Sequence, residues 1–527
     1  MKITRRALFG LTLLLLLPAL LINLGLLTFI DDEGIRSLVA LEMDLSGNWI
    51  TPTLHGHYYY KKPPLYNWIL GAWYQITGEI NEFYARIPTV VALLGYAASI
   101  FLWLRPKYGT RFAFLSALIL ITCGRILFYD SMLALIDMTF SWMMFLLFMV
   151  VYHFMEKKKY RSLFLLSYLL CAVGFLLKGL PSIVFQGTTL LAWFIYQKQF
   201  RKLFSVQHLF GGLVFTLLVG GYYLVYDQYN SLENVFTTLF TESTQRTPTN
   251  FSFWETFGHI FTFPLEMIYH FLPWSLFLLF FFRKDIRTIL REDSFITYCV
   301  FIFLANILVY WISPEVYPRY LLMHAPLIFI SYLYLYDFHR KKQTWQYRLV
   351  DHLLFGLMVL LSLAAWAPLF LETSREVSYY IPKTIFGVFI LTGATIAYQL
   401  QKENRLLYLL IFLLGFRIIF NFFVLPDRNA NDFGDTVRKQ SKAVGAKRLE
   451  TDLYVYKDLL MEPAISFYLT NSRGTIIPRR FENFPKDALY IIHPDSFPEV
   501  QLDIIVDSLP LRHGERPVYK VAKIKNQ

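Results

Sequence analysis

Cysteine is scarce in this chain of 527 residues: Cys123, Cys171 and Cys299 are the only three, all in apolar surroundings at wide, irregular spacing. That excludes a disulfide framework and a zinc motif, and leaves the thiols as buried small hydrophobes. Charged residues make up only 17%. No G-x-G-x-x-G and no P-loop is present, so the sequence offers no nucleotide-phosphate cradle. Repeats and low-complexity segments are also lacking, which argues against solenoids and disordered arrays.

What is abundant is apolar: 56% of residues are hydrophobic and 18% aromatic, the balance of a lipid-embedded chain. A window of about 19 residues places spans near 7–30, 86–104, 112–129, 138–155, 162–177, 180–197, 209–226, 264–282, 294–312, 320–336, 350–371, 381–399 and 406–425. The expectation is an α-helical polytopic membrane protein of about thirteen transmembrane helices. Leu11 to Leu27 follows Arg5 and Arg6 as in a signal peptide, but without a small-residue cleavage site before Asp31 it reads as a retained first helix.

The net charge of +12 does not point to nucleic acid, because Lys and Arg gather in short clusters between spans and no reading motif accompanies them. The clusters Lys2–Arg6, Arg105–Arg111, Lys157–Arg161, Lys198–Lys202, Arg283–Arg291, Arg340–Arg348 and Lys402–Arg405 follow every second span. By the positive-inside rule the N-terminus is cytoplasmic, and the opening loop 31–85, a second loop 227–263 and the tail from Pro426 lie on the opposite face. The tail alternates short β-rich runs, Val455–Lys457, Ile465–Leu469, Thr475–Ile477, Leu489–Ile492 and Ile504–Val506, with Pro, Gly and Asp. It reads as a soluble α/β domain, giving a division into 1–425 and 426–527.

The opening loop is too charged and aromatic for a connector. Asp32 and Glu33 sit at the mouth of the first helix, and two readings stand open: a partly desolvated general base, or the cap of a helix near Gly34–Leu45. Lys61-Lys62-Pro63-Pro64 aims two ammonium groups with a rigid turn, or anchors the loop at the headgroups. Arg86, Arg125, Asp130, Asp137, Lys178 and Arg319 map to the ends of spans on the same face as Asp32. Such charges hold an anionic lipid phosphate, or pair structurally between helices, as Asp137 with Arg125. Glu242–Arg246, His259 and His270 lie in or near the second loop but form no metal-ligand pattern.

Asp32-Glu33, Glu42-Met43, Gly47-Asn48-Trp49, Lys62-Pro63-Pro64-Leu65, Glu82-Phe83-Tyr84-Ala85-Arg86-Ile87-Pro88, Lys178-Gly179 and Leu272-Pro273-Trp274-Ser275 together resemble the bacterial aminoarabinose transferase family. These are GT-C glycosyltransferases related to the protein O-mannosyltransferases. The resemblance is densest over 31–90 and extends to Ala464–Leu469 in the tail. It implies a bacterial inner-membrane enzyme that moves a sugar from a polyprenyl (undecaprenyl) phosphate donor to lipid A or another envelope acceptor on the periplasmic face. It also implies that Asp32 is the catalytic carboxylate, that Lys62 lies by the donor phosphate, and that Asp137, or failing it Asp130, is the acid opening the fourth helix. Glu33, Lys62, Arg86, Arg125, Lys178 and Arg319 are then the substrate- and phosphate-binding candidates. The family has an acid before the Lys-Pro-Pro that contributes to a metal site, and Lys61 stands there; metal dependence is not carried over and no cofactor is assigned. A protein O-glycosyltransferase and a flippase of lipid-linked sugars remain as alternatives; charges gathered at one interface rather than at the midplane favour an enzyme.

Overall fold

The computed structural model describes residues 4–244, 251–431, 434–510 and 518–525. Eight helices among them are long and apolar enough to cross a membrane, against the thirteen spans expected. The difference has local causes. The spans expected at 86–104 and 112–129 are two helices that follow one another within Glu82–Ile121, counted there as one, and meet at a kink at Gly109, whose φ of 78° is open only to a residue without Cβ. Helices Arg5–Leu21 and Pro181–Tyr196 have 17 and 16 residues, at the lower edge of the length a bilayer crossing needs. The stretch expected at 264–282 is divided between the helix Phe253–His270 and the 3-10 turn Trp274–Phe281.

Short turns set the topology. Helices Ile136–Glu156 and Tyr160–Lys178 are joined by only three residues, so they run antiparallel and bring Asp137 and Lys178 to the same end. Each charge also suits its helix terminus: Asp137 lies in a first turn and Lys178 in a last turn, where the helix dipole favours that sign.

The opening loop folds as a small layer on that end. Helix Glu33–Ser46 is closed by Gly47 at φ 69°. A two-residue hairpin follows, strand β1 (Thr53–Leu54) pairing with β2 (His57–Tyr58). His55 and Gly56 at its tip have φ of 55° and 71°, the double left-handed turn that matches strand twist. Glu42 fixes this hairpin, accepting hydrogen bonds from Thr53 Oγ1 at 2.7 Å, His55 N at 2.7 Å and Gly56 N at 3.1 Å.

The last apolar helix does not stop at 425 but passes through a π turn, Phe420–Val424, and on to Asn431. The domain beyond it carries a five-stranded sheet of order β4 (Arg479–Arg480), β3 (Leu453–Tyr456), β5 (Leu489–Ile492), β7 (Tyr519–Ile524), β6 (Leu502–Leu509). Its β3 pairs are parallel and its β7 pairs antiparallel, which bears out an α/β tail. Two runs read as strands are not: Ile465–Leu469 lies in helix Pro463–Arg473, and Thr475–Ile477 is irregular. Proline at the first helical position and Gly474 at φ 69° bracket that helix, outweighing its β-prone composition.

That helix packs on Glu33–Ser46 so closely that a Cβ at Gly34 would meet the Pro463 backbone at 2.7 Å. Tyr468 OH donates to Glu82 Oε1 at 2.5 Å, and Arg438 pairs with Glu82 at 2.8 Å. At the hairpin tip the His55 carbonyl accepts from Arg479 N at 2.9 Å, and the His55 ring meets the Ile477 carbonyl at 3.3 Å.

Burial, reinforced by the Arg479 charge, lowers the His55 pKa from 6.5 to about 4. The folded state therefore binds fewer protons than the unfolded chain between those values, so stability here is complete above pH 6.5 and declines toward pH 4. Hydrogen exchange over 476–481, corrected for intrinsic rates, is expected to rise on acidification from pH 7 to 5, and His55→Gln to remove that rise; a pH-independent wild type contradicts this.

Candidate active site

Asp31 takes a left-handed φ of 55°, a region that Asp tolerates better than most residues, and its carboxylate accepts from the Asp32 N–H at 2.9 Å. The Asp32 side chain makes no helix-capping bond and is 46% exposed. Asp32 thus holds the N-cap position of helix Glu33–Ser46 without a side-chain capping bond. Its carboxylate lines a polar cavity of about 200 Å³ together with Arg36, Lys62, Asp137, Lys178 and Arg319.

Arg319 organises this cavity. Its guanidinium donates to Asp31 Oδ2, lies 3.8 Å from Asp32 Oδ2, and approaches Asp137 Oδ2 with Nε at 3.6 Å. The Tyr317 ring flanks it at 4.6 Å. Asp137 also receives Lys178 Nζ at 2.5 Å, and that ammonium rests over the Tyr320 ring at 4.0 Å. Asp137 thus faces two cations, while Asp32 is held loosely by one.

Glu33, Arg86 and Arg125, the other three sequence candidates, do not line this cavity. Glu33 is fully buried and bonded to Arg86 at 2.8 and 3.0 Å; it also accepts from Ile30 N and Ala134 N. The remaining Arg86 donors go to the carbonyls of Leu24, Leu27 and Thr28. With all five N–H groups used, Arg86 has none left for a phosphate. Arg125 pairs with Asp130 at 3.0 Å instead of with Asp137, and burial raises the Asp130 pKa to about 6 despite that partner.

Arg36 was not singled out from the sequence. It lies one helical turn beyond Asp32, is 2% exposed, bonds through Nη2 to Tyr59 OH and sits 5.1 Å from that ring. Its Nη1 is buried with no hydrogen-bond partner while the side chain lines the cavity, an arrangement that favours an incoming anion. The i, i+4 spacing from Asp32 was the signal available.

Five Lys or Arg side chains line the cavity against three carboxylates. One of the five, Lys61, lies 3.7 Å from Glu242. Among the described residues no group of three His, Cys, Asp or Glu is placed to hold a metal ion. His259 contacts the Tyr310 carbonyl and His270 pairs with Glu266; Gln245 and Arg246 lie outside the described residues.

A second cavity, about 380 Å³ and lined mainly by apolar residues such as Leu180, Val184, Phe185 and Val309, adjoins the first. The two share Lys61, Lys62, Lys178, Glu242 and Tyr320. The site is thus a charged chamber opening into a greasy slot, with lysines at the junction.

This is the GT-C glycosyltransferase fold. The structure matches ArnT from Cupriavidus metallidurans bound to undecaprenyl phosphate with TM-score 0.72 and 17% identity, over 98% of each chain, and its apo state with TM-score 0.71 and 16% identity, over 97% of each. Residues 61–223 match the model of the dolichyl-phosphate-mannose-protein mannosyltransferase family. Undecaprenyl phosphate-α-4-amino-4-deoxy-L-arabinose arabinosyl transferases are similar in sequence: that of Pseudomonas aeruginosa is 28% identical over 33% of this chain and 32% of its own length, and that of Erwinia tasmaniensis 30% identical over the same shares. The sequence match therefore spans about a third of these relatives, although the fold match spans nearly the whole chain.

Removing Arg86 leaves the buried Glu33 charge uncompensated, so Arg86→Met is expected to destabilise the protein by about 3–5 kcal/mol. The double variant Glu33→Gln/Arg86→Met should recover part of that in thermal unfolding. Equal losses in single and double variants contradict a structural pair.

Proposed function

We propose that the protein is an integral membrane glycosyltransferase that moves a sugar from a polyprenyl phosphate to lipid A or another cell-envelope acceptor at the periplasmic face of the bacterial inner membrane. The observation that carries this is the shared lining of the two cavities. A polyprenyl chain cannot leave the bilayer, so its phosphate has to be met where apolar slot and charged chamber join, and Lys62 and Lys178 stand there. The likeness to a fold solved with undecaprenyl phosphate supports the same donor class. The basic clusters and the positive-inside rule support a cytoplasmic N-terminus and a periplasmic tail.

In the reaction the acceptor hydroxyl attacks the anomeric carbon. Asp32, the exposed and loosely held carboxylate, accepts the hydroxyl proton as the new C–O bond forms. The anomeric C–O(P) bond breaks and its electron pair leaves on the phosphate. Lys62, Lys178 and Arg36 stabilise that developing charge. Asp137, faced by Lys178 and Arg319, acts by positioning them rather than by taking a proton, which revises the catalytic role read from its place in the sequence. Glu33, Arg86 and Arg125 are assigned to the scaffold.

A flippase is disfavoured because the acids and bases of the candidate site lie at an end of the bundle rather than midway along it, and the sequence has no internal repeat. A protein acceptor is separated from a lipid one by mass spectrometry of lipid A, envelope glycans and membrane proteins from cells with and without the gene.

Asp32→Asn is expected to leave folding and insertion intact and to cut transfer from an undecaprenyl-phosphate-linked sugar by about 10²-fold or more. Lys178→Ala should raise the apparent donor KM as well as lower turnover. Wild-type-like turnover in Asp32→Asn removes it from the mechanism.

A further inference from the structure

Helix Ala325–Lys342 starts beside Arg319 and, at 18 residues, rises about 27 Å before it ends, close to the thickness of a hydrocarbon core. At its far end is a third cavity of about 400 Å³, between the ends of helices Ala325–Lys342, Trp345–Ala364 and Tyr380–Leu400. None of its lining residues belongs to the site described above.

Five Lys or Arg side chains line it against two acids. Of those acids, Asp351 is already met by Arg405 at 2.5 Å and by Tyr398 OH at 2.8 Å. Arg340 is likewise engaged, with Asp337 at 3.3 Å. Lys341, Arg348 and Lys402 are exposed and have no acidic partner among the described residues. Glu403 is the one further acid on the lining, so these three cations leave the cavity with a net positive charge that attracts an anion.

The surroundings say which anion. Arg348, His352 and Phe355 succeed one another along one face of helix Trp345–Ala364 and line the cavity. On the neighbouring face Trp345, Leu349 and Leu353 are 61%, 40% and 45% exposed, an apolar stripe at helical spacing with the indole at its end, the pattern of an interfacial anchor. A ligand here meets cations with its head and the apolar stripe with its tail.

We propose that this cavity binds the phosphate headgroup of an anionic phospholipid, in the leaflet opposite the active site. Lys341, Arg348 and Lys402 contact the phosphate oxygens, and the acyl chains lie along Leu349 and Leu353. Basic cavities between membrane helices recognise such headgroups by charge. The proposal stands independently of the transferase reading.

The test is native mass spectrometry of the full-length protein titrated with equimolar dioleoyl-phosphatidylglycerol and dioleoyl-phosphatidylcholine. The wild type is expected to retain phosphatidylglycerol selectively. Arg348→Gln/Lys402→Gln should weaken that retention about tenfold or more, the effect of removing two headgroup-facing cations, while the charge-keeping Arg348→Lys/Lys402→Arg retains it. Equal uptake of the two lipids by the wild type overturns the proposal, as does undiminished phosphatidylglycerol retention in the Gln variant. Displacement of the bound lipid by inorganic phosphate at matching concentration shows a site for free phosphate instead and overturns the lipid assignment. If the Gln variant does not fold, lipid selectivity of the wild type and of the charge-keeping variant decides.

Discussion

One arginine at the membrane boundary shared among three carboxylates is the constraint on which the rest of the site depends. Arg319 contacts Asp31, Asp32 and Asp137, and a guanidinium offers a planar fork of fixed geometry. Asp31 takes the closest contact and Asp137 has Lys178 besides. What is left for Asp32 is a weak, 3.8 Å approach and an open face toward the cavity. A carboxylate so placed is available to a substrate hydroxyl, whereas the carboxylate of Glu33, next in sequence, is closed in on every side. Two adjacent acids are thus divided into a working group and a structural one by their surroundings.

The scaffold around that division is built by charges that never meet solvent. The Glu33–Arg86 pair joins the opening loop to carbonyls in the turns that follow the first helix, so that junction cannot shift without uncovering a buried ion. Glu82, in the same turn of helix as Arg86, reaches the other way, to Tyr468 and Arg438 in the tail. The tail in turn holds the hairpin tip at His55. Membrane helices, opening loop and soluble domain therefore form a chain of contacts that ends at the strand leading to Lys61 and Lys62.

Much of this was legible in the sequence, and the exceptions have physical reasons. Apolar runs and basic clusters gave the polytopic class, but the pairing suggested for Asp137, with Arg125, was not the one formed: Asp137 meets Lys178 and Arg125 meets Asp130. Lys62, Asp32 and Arg319 do come together. Glu33, Arg86 and Arg125 were indistinguishable from them by position, because whether a charge at a helix end faces a partner or a cavity depends on residues far along the chain: Arg86 meets Glu33 across 53 positions. Arg36 escaped notice because an arginine inside an amphipathic helix usually points to water. Ile465–Leu469 reads as a strand by composition, yet Pro463 and the docking surface of helix Glu33–Ser46 make it a helix.

The central claim is that the junction of the two cavities holds the donor phosphate. It is tested most directly by a structure of the protein with undecaprenyl phosphate bound. The account requires the phosphate within about 4 Å of Lys62 and Lys178, with the isoprenyl chain against Leu180, Val184 and Val309 and the Asp32 carboxylate open on the other side. A phosphate bound away from both lysines, with the chain outside that slot, contradicts it.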